Sequence, residues 1–344
     1  MKAVRVHEYD GAPSLDDVPD PVIQGPHDVI VKVEGAGVCR TDLHIIEGQW
    51  KEKSGVALPY TIGHENAGTV VEIGSAVTNV KVGDKAILHP LATCGLCLAC
   101  RAGDDVHCSN SAFPGIDTDG GMAEYLLTSA RSVVPLDPAL EPSDVAALAD
   151  AGLTAYHAVR KAAAHVRPGT TTVIIGAGGL GHIGIQTLRA LSATRIVVVD
   201  QSEAALELAS KLGADDTILA DGQEAERVLD LTNGHGAEAV LDFVGEGTAV
   251  DAGVRMLRRA GNYYVIGYGG ALNVPTIDII STEINFIGNL VGTYNDLVEL
   301  MALAAKDAVR LHTVKFPLSQ FQRALDDLHH GKVAGRAVLV PDAR

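Results

Sequence analysis

In residues 172–186, TVIIGAGGLGHIGIQ, an apolar run is followed directly by a cluster of glycines. Gly176, Gly178 and Gly181 form the pattern G-x-G-x-x-G after a predicted strand and at the start of a predicted helix. These glycines permit a tight turn, the approach of a pyrophosphate and close helix–strand packing, respectively. With phosphates at the helix N-terminus, the pattern predicts dinucleotide binding by Gly176, Gly178, Gly179, Leu180 and Gly181. A glycine turn that binds nothing is the alternative.

An acidic residue after the next predicted strand indicates which dinucleotide would bind. The run RIVVVD ends at Asp200, nineteen residues after Gly181. A carboxylate there would accept hydrogen bonds from the adenosine ribose hydroxyls and would repel the additional phosphate of NADP. The sequence therefore favours NAD, and the alternative for Asp200 is a solvated strand end.

Strands and helices alternate from about residue 152 onward. The apolar runs TTVIIGA, RIVVVD, DTILA, EAVLDFVG, NYYVIGY and NFIGNLVG are joined by segments long enough for parallel pairing, including a predicted helix over 247–258. This pattern predicts an α/β doubly wound parallel sheet over 152–292. Residues 1–151 instead contain short β runs broken by Gly, Pro and Asp, with little helical periodicity. Residues 293–344 predict two helices and a last strand, which we group with the first domain.

Length and composition limit the classes of protein to consider. A chain of 344 residues predicts roughly two domains. Its 47% apolar and 20% charged residues are typical of a globular protein, and a formal net charge of −16 argues against nucleic acid or anionic membrane as partners. The sequence has no apolar run that could span a bilayer, and the charged start MKAVRVHEYDG does not resemble a signal peptide. We therefore expect a cytoplasmic location.

Four of the five cysteines lie within fifteen residues, as Cys94-x2-Cys97-x2-Cys100-x7-Cys108. Four thiolates at this spacing suit a tetrahedral Zn²⁺, and a closed sulfur shell leaves no position for substrate, so this zinc would be structural. An iron–sulfur cluster is one alternative, and four unrelated buried cysteines are the other.

The fifth cysteine and a histidine–glutamate pair lie in two separate segments. Cys39 is in GVCRTDLHIIEG, and His64 precedes Glu65 in TIGHENAGTVVEIG. A lone Cys is more often a small buried apolar residue, and a Gly-His pair is often part of a loop. Spacing alone therefore leaves a joint metal site undecided.

The order of these motifs resembles a known family. The segment Cys39-Arg40-Thr41-Asp42-x-His44, the segment Gly63-His64-Glu65-x-x-Gly68 followed by Gly74, the four-cysteine segment and the glycine-rich turn occur as in the zinc-dependent alcohol dehydrogenases of the medium-chain dehydrogenase/reductase superfamily. The resemblance covers essentially the whole chain. It implies a mostly β, GroES-like catalytic domain formed by 1–151 and 293–344, and a Rossmann NAD-binding domain formed by 152–292.

The resemblance also implies a second, catalytic zinc. Its ligands would be Cys39, His64 and Asp150, the last at a position where liver-type members carry cysteine and several bacterial members carry aspartate. Carboxylate oxygen is an accepted zinc ligand. Asp42 would orient His64, and Glu65 would lie near the metal as a transient ligand.

Further family positions imply a proton relay and cofactor contacts. Thr41 would hydrogen-bond the substrate oxygen and begin a relay that passes through the cofactor ribose to His44, for which an exposed helix histidine is the alternative. Arg40 and Arg336 match positions that contact the cofactor pyrophosphate, and Thr154 matches one near the nicotinamide.

The resemblance thus implies NAD-dependent interconversion of alcohols with aldehydes or ketones. The family places the substrate pocket at Trp50, Leu91, Ala92, Leu290 and Val291. Several of these side chains are smaller than in relatives, which favours secondary or aryl alcohols, although Trp50 is also compatible with a core position. The alternatives are a zinc polyol or diol dehydrogenase and a noncatalytic NAD-binding protein of the same fold. Homodimers or homotetramers are expected, with cofactor domains pairing near NFIGNLVG.

Overall fold

The computed structural model describes residues 1–333 and 335–342. In chain order its strands are β1 (Lys2–Val6), β2 (Ser14–Asp17), β3 (Asp28–Val38), β4 (Tyr60–Thr61), β5 (Glu65–Ile73), β6 (Lys85–Leu88), β7 (Tyr125–Ser129), β8 (Val133–Pro135), β9 (Thr171–Ile175), β10 (Arg195–Asp200), β11 (Asp216–Leu219), β12 (Ala237–Asp242), β13 (Leu257–Val265), β14 (Asn285–Gly288), β15 (Thr313–Pro317) and β16 (Arg336–Val340). Its helices are α1 (Arg40–Ile46), α2 (Lys51–Ser54), α3 (Leu98–Ala102), α4 (Pro142–Val145), α5 (Ala151–Ala163), α6 (Gly181–Leu191), α7 (Glu203–Lys211), α8 (Glu224–Leu231), α9 (Ala249–Met256), α10 (Thr276–Thr282), α11 (Tyr294–Ala305) and α12 (Phe321–His329).

The glycine-rich turn follows β9, an inner strand of a six-stranded parallel sheet. The strand order is β11-β10-β9-β12-β13-β14, so the chain builds outward from β9 in one direction and then crosses to β12 on its other side. This doubly wound arrangement confirms the prediction from the alternating apolar runs. Val173 and Ile175 of β9 share an apolar cluster with α8 and α9, whereas Ile174 clusters with α5 and α6. Both faces of the sheet are therefore covered at β9, which explains why the inner strands β9 and β10 are almost continuously apolar.

The first part of the chain forms a mainly antiparallel framework around β3 and β5. These strands are central in a sheet of order β15-β16-β3-β5-β6-β8, in which β7 also pairs with β3. The short strands β2, β1 and β4 form a separate three-stranded sheet. Val4 of β1, Val31 of β3, Val70 of β5 and Leu325 of α12 belong to one buried cluster. Because β16 pairs with β3, the C-terminal segment is part of the same sheet as the N-terminal strands.

Contacts between Cα atoms divide the chain into two compact units. The first comprises Met1–Leu153, Thr293–Ala305 and Leu311–Arg344, and the second comprises Thr154–Gly292 and Lys306–Arg310. The change from the first unit to the second at residue 153 falls within α5. The assignment of catalysis to one part and NAD binding to the other stays a prediction.

Two local predictions differ from the structure. Little helical structure was expected before residue 151, but α1 to α4 lie there, and each has seven residues or fewer, too few to show an apolar period. The helix predicted over 247–258 is present as α9 but ends at Met256. The next strand, β13, already begins at Leu257, which pairs with Ala237 across a shift in register.

The helices of the described residues are short. The longest, α5, has 13 residues, whereas a helix needs about 20 apolar residues to cross a bilayer. Among residues 1–333 and 335–342, no helix has the length and apolar character of a membrane span.

We predict that Gly68→Ala destabilises the first unit. Gly68 of β5 pairs with Val33 of β3, and an added Cβ would lie 2.0 Å from the backbone oxygen of Lys32. Such overpacking costs roughly 1–3 kcal/mol, which thermal denaturation would detect as a lower Tm. Gly25→Ala is the matched control in the same unit, because the nearest atom to its added Cβ is Asp28 Oδ1 at 3.4 Å, an ordinary van der Waals contact. An equal Tm for the Gly68 variant and the wild type would contradict this account of the β3–β5 contact.

Candidate functional site

The register between β3 and β5 brings the first two predicted metal ligands together. Gly37 on β3 pairs with Glu65 on β5. Cys39 follows Gly37 by two residues and His64 directly precedes Glu65, so the antiparallel pairing places the two side chains in one cluster. The pairing thus joins two segments that sequence spacing alone left separate.

Asp150 joins this cluster from a third part of the chain. A 3₁₀ turn over Ala146–Ala149 contacts β5 and ends at Asp150. The backbone N–H of Ala151 donates to Glu65 Oε1 at 3.0 Å, which fixes the end of this turn. One ligand atom from each residue of the cluster lies within 4.8 Å of the others, in the set Cys39, His64, Glu65 and Asp150. The structure therefore brings together the three residues predicted to bind the catalytic metal.

Carboxylates flank both ring nitrogens of His64, which is buried. Nδ1 lies 3.3 Å from Asp42 Oδ1, and Nε2 lies 3.3 Å from Asp150 Oδ2. Neither nitrogen makes a well-aligned hydrogen bond with a described residue. The other oxygen of Asp42 accepts the backbone N–H of Cys39 at 2.8 Å, which holds this carboxylate at the first turn of α1. Burial disfavours charge on His64, but the carboxylates of Asp42 and Asp150 outweigh it and raise its pKa well above the ordinary value.

A buried ion pair joins Glu65 to Arg336. Arg336 Nη2 donates to both Glu65 oxygens, at 2.6 and 2.5 Å, and the two side chains are 0% and 4% exposed. The strands that carry them, β5 and β16, flank β3. An added Cβ at Gly37 of β3 would lie 1.9 Å from Glu65 Oε2, so the absence of a side chain there leaves room for the carboxylate. Burial raises the pKa of Glu65 although Arg336 opposes this shift.

The predicted role of Arg336 in binding the cofactor pyrophosphate stays a prediction. Burial acts to lower the pKa of the guanidinium, but Glu65 and Cys39 hold it above its ordinary value, so Arg336 stays charged. The structure therefore assigns Arg336 a second role that the sequence did not indicate, as the charge partner of Glu65.

Helix α1 begins directly after Cys39 and carries the predicted relay residues. Thr41 and His44 lie three residues apart, which places them about one turn apart on the same side of the helix. Both side chains are partly buried, whereas Arg40 is exposed. The position of Thr41 and His44 is compatible with the relay, which itself stays a prediction.

Sequence reasoning missed Phe113. Its ring packs edge-on against the imidazole of His64, with ring centroids 6.0 Å apart. The backbone N–H of Phe113 donates to Asp117 Oδ1 at 2.6 Å, which fixes the loop that presents the ring. In the sequence FPGID nothing distinguishes this residue from any other loop aromatic, so only the tertiary structure identifies it.

The four clustered cysteines converge in the first unit. Their sulfur atoms all lie within 4.8 Å of one another, and Cys94 Sγ lies 3.5 Å from Cys108 Sγ. Backbone N–H groups of Leu96 and Cys97 donate to Cys94 Sγ at 3.5 and 3.4 Å. The four sulfur atoms of this segment are thus close enough together to bind one metal ion.

Backbone hydrogen bonds lower the pKa of two of these thiols, whereas desolvation raises the pKa of a third. Hydrogen bonds from the backbone of Leu96 and Cys97 lower the pKa of Cys94, and those from Cys100 and Ser109 lower the pKa of Cys97 to about 6. Desolvation and the neighbouring thiols raise the pKa of Cys100 to about 12. Thiolate is the form that binds metal, so a bound cation is needed to ionise the whole set near neutral pH.

In the second unit, the glycines of the turn between β9 and α6 meet different requirements. Gly176 has φ +87°, and a Cβ there would lie 2.7 Å from Val244 Cγ2. A Cβ at Gly181 would lie 1.7 Å from the backbone oxygen of Gly176, so the fold itself requires glycine. Gly178 has neither constraint, because no atom of residues 1–333 or 335–342 lies within 4 Å of an added Cβ beyond its chain neighbours, and its φ is not positive. Leu180, which lies between Gly178 and Gly181 in the sequence, is the residue directly before α6.

Asp200, at the end of β10, is anchored on this turn. Its Oδ2 accepts the backbone N–H of Ala177 at 2.7 Å, and its Oδ1 accepts that of Ser202 at 2.8 Å. The carboxylate is therefore fixed beside the turn, and its contact with the ribose stays a prediction. Thr154, the other predicted cofactor residue of this unit, is a partly buried residue of α5.

The predicted pocket residues lie in both units and have different environments. Trp50 is partly buried and packs against the apolar cluster of the first unit. Leu91 is buried, and Ala92 is partly buried and forms a β-bridge with Ala112. In the second unit Leu290 is 54% exposed, whereas Val291 is buried with a positive φ of 45°. The assignment of these residues to a substrate pocket stays a prediction.

Comparison with known proteins places this arrangement in a family. Residues 25–138 match the family described as the alcohol dehydrogenase GroES-like domain, and residues 179–306 match the zinc-binding dehydrogenase family. A protein of Sulfurisphaera tokodaii named NAD-dependent alcohol dehydrogenase is 36% identical, over 99% of this chain and 100% of its own length. A Saccharolobus solfataricus protein named D-arabinose 1-dehydrogenase (NADP(+)) is also 36% identical, over 99% of this chain and 97% of its own.

A solved structure gives the same result. The crystal structure of the alcohol dehydrogenase from the hyperthermophilic archaeon Aeropyrum pernix is 45% identical in sequence and superimposes with a TM-score of 0.96, covering 99% of this chain and 100% of that one. Each of these three similarities covers 99% of this chain. The chain therefore belongs to the zinc-dependent alcohol dehydrogenases of the medium-chain dehydrogenase/reductase superfamily.

Proposed function

We propose that the chain is an NAD-dependent enzyme that interconverts alcohols with aldehydes or ketones by hydride transfer. The observation that carries this proposal is the convergence of Cys39, His64 and Asp150 beside Glu65. A zinc site with three protein ligands keeps a position for a reactant, which a structural site does not. The names of the similar proteins from Sulfurisphaera tokodaii and Aeropyrum pernix support the same reaction.

The residues of this site fit a zinc ion. Thiolate, imidazole and carboxylate are the side chains that bind zinc in proteins. Asp42, Glu65 and Asp150 place three carboxylates in or beside the cluster. Among the described residues in contact with them there, Arg336 is the one permanently charged cation. A divalent cation would compensate this excess of negative charge in a buried site. Asp42 would then orient His64 through Nδ1 and leave Nε2 for the metal.

The four-cysteine cluster fits a second, structural zinc. Tetrahedral zinc with bonds of ~2.3 Å holds its sulfur atoms about 3.8 Å apart. The Cys94–Cys108 sulfur distance of 3.5 Å is close to that value. An iron–sulfur cluster stays the alternative, and metal analysis of the purified protein distinguishes the two.

The glycine-rich turn fits NAD. The fold requires glycine at positions 176 and 181, but not at 178, where an added Cβ would meet no protein atom. A pyrophosphate that approaches the backbone supplies the missing reason for glycine at 178. The anchored carboxylate of Asp200 would accept hydrogen bonds from the ribose hydroxyls, which favours NAD over NADP.

In the proposed mechanism the chain positions the reactants and conducts one proton. When bound, zinc supplies the Lewis acidity that favours loss of the alcohol proton, and NAD supplies the hydride acceptor. Thr41 would accept a hydrogen bond from the alcohol hydroxyl, and His44, one turn further along α1, would take the proton toward solvent. Asp42 keeps the His64 ring in place, and Arg336 holds Glu65 within the cluster, where it would serve as a transient ligand.

The finer features of the proposal concern substrate and assembly. Small side chains at Leu91, Ala92 and Val291 favour secondary or aryl alcohols over ethanol. We infer a homodimer or homotetramer in which β14, the edge strand of the six-stranded sheet, pairs with another copy. A cytoplasmic location stays a prediction from the sequence.

A panel of alcohols tests the proposed activity and substrate class. Nicotinamide absorbance would be followed with ethanol, a secondary alcohol, an aryl alcohol and a polyol, each with NAD and with NADP. We expect zinc-dependent reduction of NAD, with the secondary and aryl alcohols turned over best. Ethanol as the best substrate would contradict the pocket assignment, and preference for polyols would favour the polyol dehydrogenase alternative. No turnover by zinc-loaded protein that binds NAD would favour the noncatalytic alternative.

We predict that Cys39→Ala removes one of two zinc ions per chain and lowers kcat at least about a thousandfold, because it removes a ligand of the catalytic metal. NAD affinity, measured by calorimetry, should stay within about twofold of the wild type, since the glycine-rich turn belongs to the other unit. Asp150→Cys is the matched variant, because thiolate replaces carboxylate as a ligand and should retain the metal. Equal loss of NAD affinity and zinc in the Cys39 variant would argue against separate metal and cofactor sites.

Two glycine variants separate the needs of the fold from those of the cofactor. Gly178→Ala should leave Tm unchanged but weaken NAD binding roughly tenfold, about 1.4 kcal/mol, because the new methyl group enters the space of the pyrophosphate. Gly181→Ala should lower Tm, because its Cβ would lie 1.7 Å from the oxygen of Gly176. Unchanged NAD affinity in the Gly178 variant would contradict the assignment of the turn to pyrophosphate.

A further inference from the structure

The first turn of α6 contains a buried histidine that touches the glycine-rich turn. His182 directly follows Gly181 and is 1% exposed. Its Nδ1 lies 2.8 Å from the backbone oxygen of Gly178. Because a carbonyl oxygen only accepts hydrogen bonds, Nδ1 must carry the proton in this contact. The backbone N–H of His182 also donates to this oxygen, at 3.2 Å.

Two donors from one residue therefore fix the direction of the Gly178 carbonyl. In a trans peptide the C=O and the following N–H point in opposite directions. With its carbonyl directed at His182, the peptide between Gly178 and Gly179 must direct the N–H of Gly179 away from the body of α6. That is the side on which a helix N-terminus receives phosphate.

The peptide after Gly178 is one that needs such a restraint. Gly178 has no side chain, and among the described residues other than its chain neighbours no atom lies within 4 Å of the position its Cβ would occupy. Packing therefore does little to hold this peptide, and glycine allows it a wide range of orientations. The space at Gly178 leaves room for a pyrophosphate. Binding would nevertheless be weaker if the Gly179 N–H had to be ordered each time the pyrophosphate binds.

The helix that carries His182 is itself anchored one turn further along. Gln186 Nε2 donates to the backbone oxygens of His182 at 3.0 Å and Arg310 at 2.9 Å. Gln186 Oε1 accepts the backbone N–H of Arg310 at 2.9 Å. Residues 306–310 belong to the same unit as α6, so His182 is held on a fixed support.

We propose that His182 is a positioning residue for the dinucleotide: its Nδ1–H···O bond to Gly178 orders the Gly179 N–H toward the pyrophosphate before the cofactor binds. This inference rests on the proposed function in one respect, that the turn binds NAD. A buried histidine that only fills space in the core is the competing explanation.

Asparagine and glutamine variants separate these explanations. The amide nitrogen of Asn is as many bonds from Cα as His Nδ1, whereas that of Gln is one bond further. His182→Asn should therefore retain the bond to Gly178, and His182→Gln and His182→Leu should lose it. We would measure the dissociation constant of ADP-ribose, which contains the pyrophosphate, and by competition that of adenosine, which contains no phosphate.

We expect His182→Gln and His182→Leu to weaken ADP-ribose binding roughly 3- to 10-fold, the effect of one lost hydrogen bond, and to leave adenosine binding unchanged. His182→Asn should bind ADP-ribose like the wild type. Ile185→Val, in the same buried helix, is the control for altered packing and should change neither constant.

Several results would overturn the proposal. Equal affinities of the Asn and Gln variants for ADP-ribose would exclude a role for the Nδ1 donor, even if the Leu variant failed to fold. Parallel losses for ADP-ribose and adenosine would show a general structural effect. If the wild type bound neither ADP-ribose nor NAD, the proposed function would itself be wrong, an outcome that differs from normal wild-type binding with equal variants.

Discussion

The buried ion pair between Glu65 and Arg336 is the interaction on which the rest of the metal site depends. It joins β5 to β16 beside a side-chain-free position on β3, Gly37, so residues 271 positions apart in the sequence form one contact. A buried guanidinium or carboxylate without a partner is strongly destabilising, so the pair fixes both strands. The same carboxylate accepts the backbone N–H of Ala151, which fixes the turn that presents Asp150. With Glu65 neutralised by Arg336, the remaining negative charge of Asp42 and Asp150 is directed at His64 and at any cation it binds.

The two units prepare their ligand sites by different physical means. In the first unit, charged and soft ligands converge on a space where a divalent ion would balance their charge. In the second unit the proposed site is made of backbone, with glycine required by the fold at 176 and 181 and by the proposed pyrophosphate at 178. In a backbone site of this kind, the glycine that leaves room for the phosphate also leaves the orientation of the next backbone N–H less restricted. His182 restricts this orientation through its bond to Gly178.

The sequence predicts those parts of the molecule whose determinants are local. The glycine-rich turn and the four cysteines each lie within fifteen residues, and for them spacing alone indicates the chemistry. Cys39 and His64 are different, because only the register between β3 and β5 brings them together, and they were identified through resemblance to a family. Phe113 and the Arg336–Glu65 pair depend on long-range packing that no local pattern encodes. His182 directly follows the predicted motif, but its proposed role depends on a side-chain rotamer, which the sequence does not specify.

A metal titration with two readouts on the same sample tests whether turnover depends on zinc at Cys39, His64 and Asp150. Zinc would be removed stepwise by a chelator and then returned, while bound zinc per chain and the rate of NAD reduction by a secondary alcohol are recorded. We expect two zinc ions per chain. Activity should be lost when the ion held by Cys39, His64 and Asp150 is removed, and it should be regained when zinc is returned. Full activity in protein that retains no metal at this site would contradict this expectation.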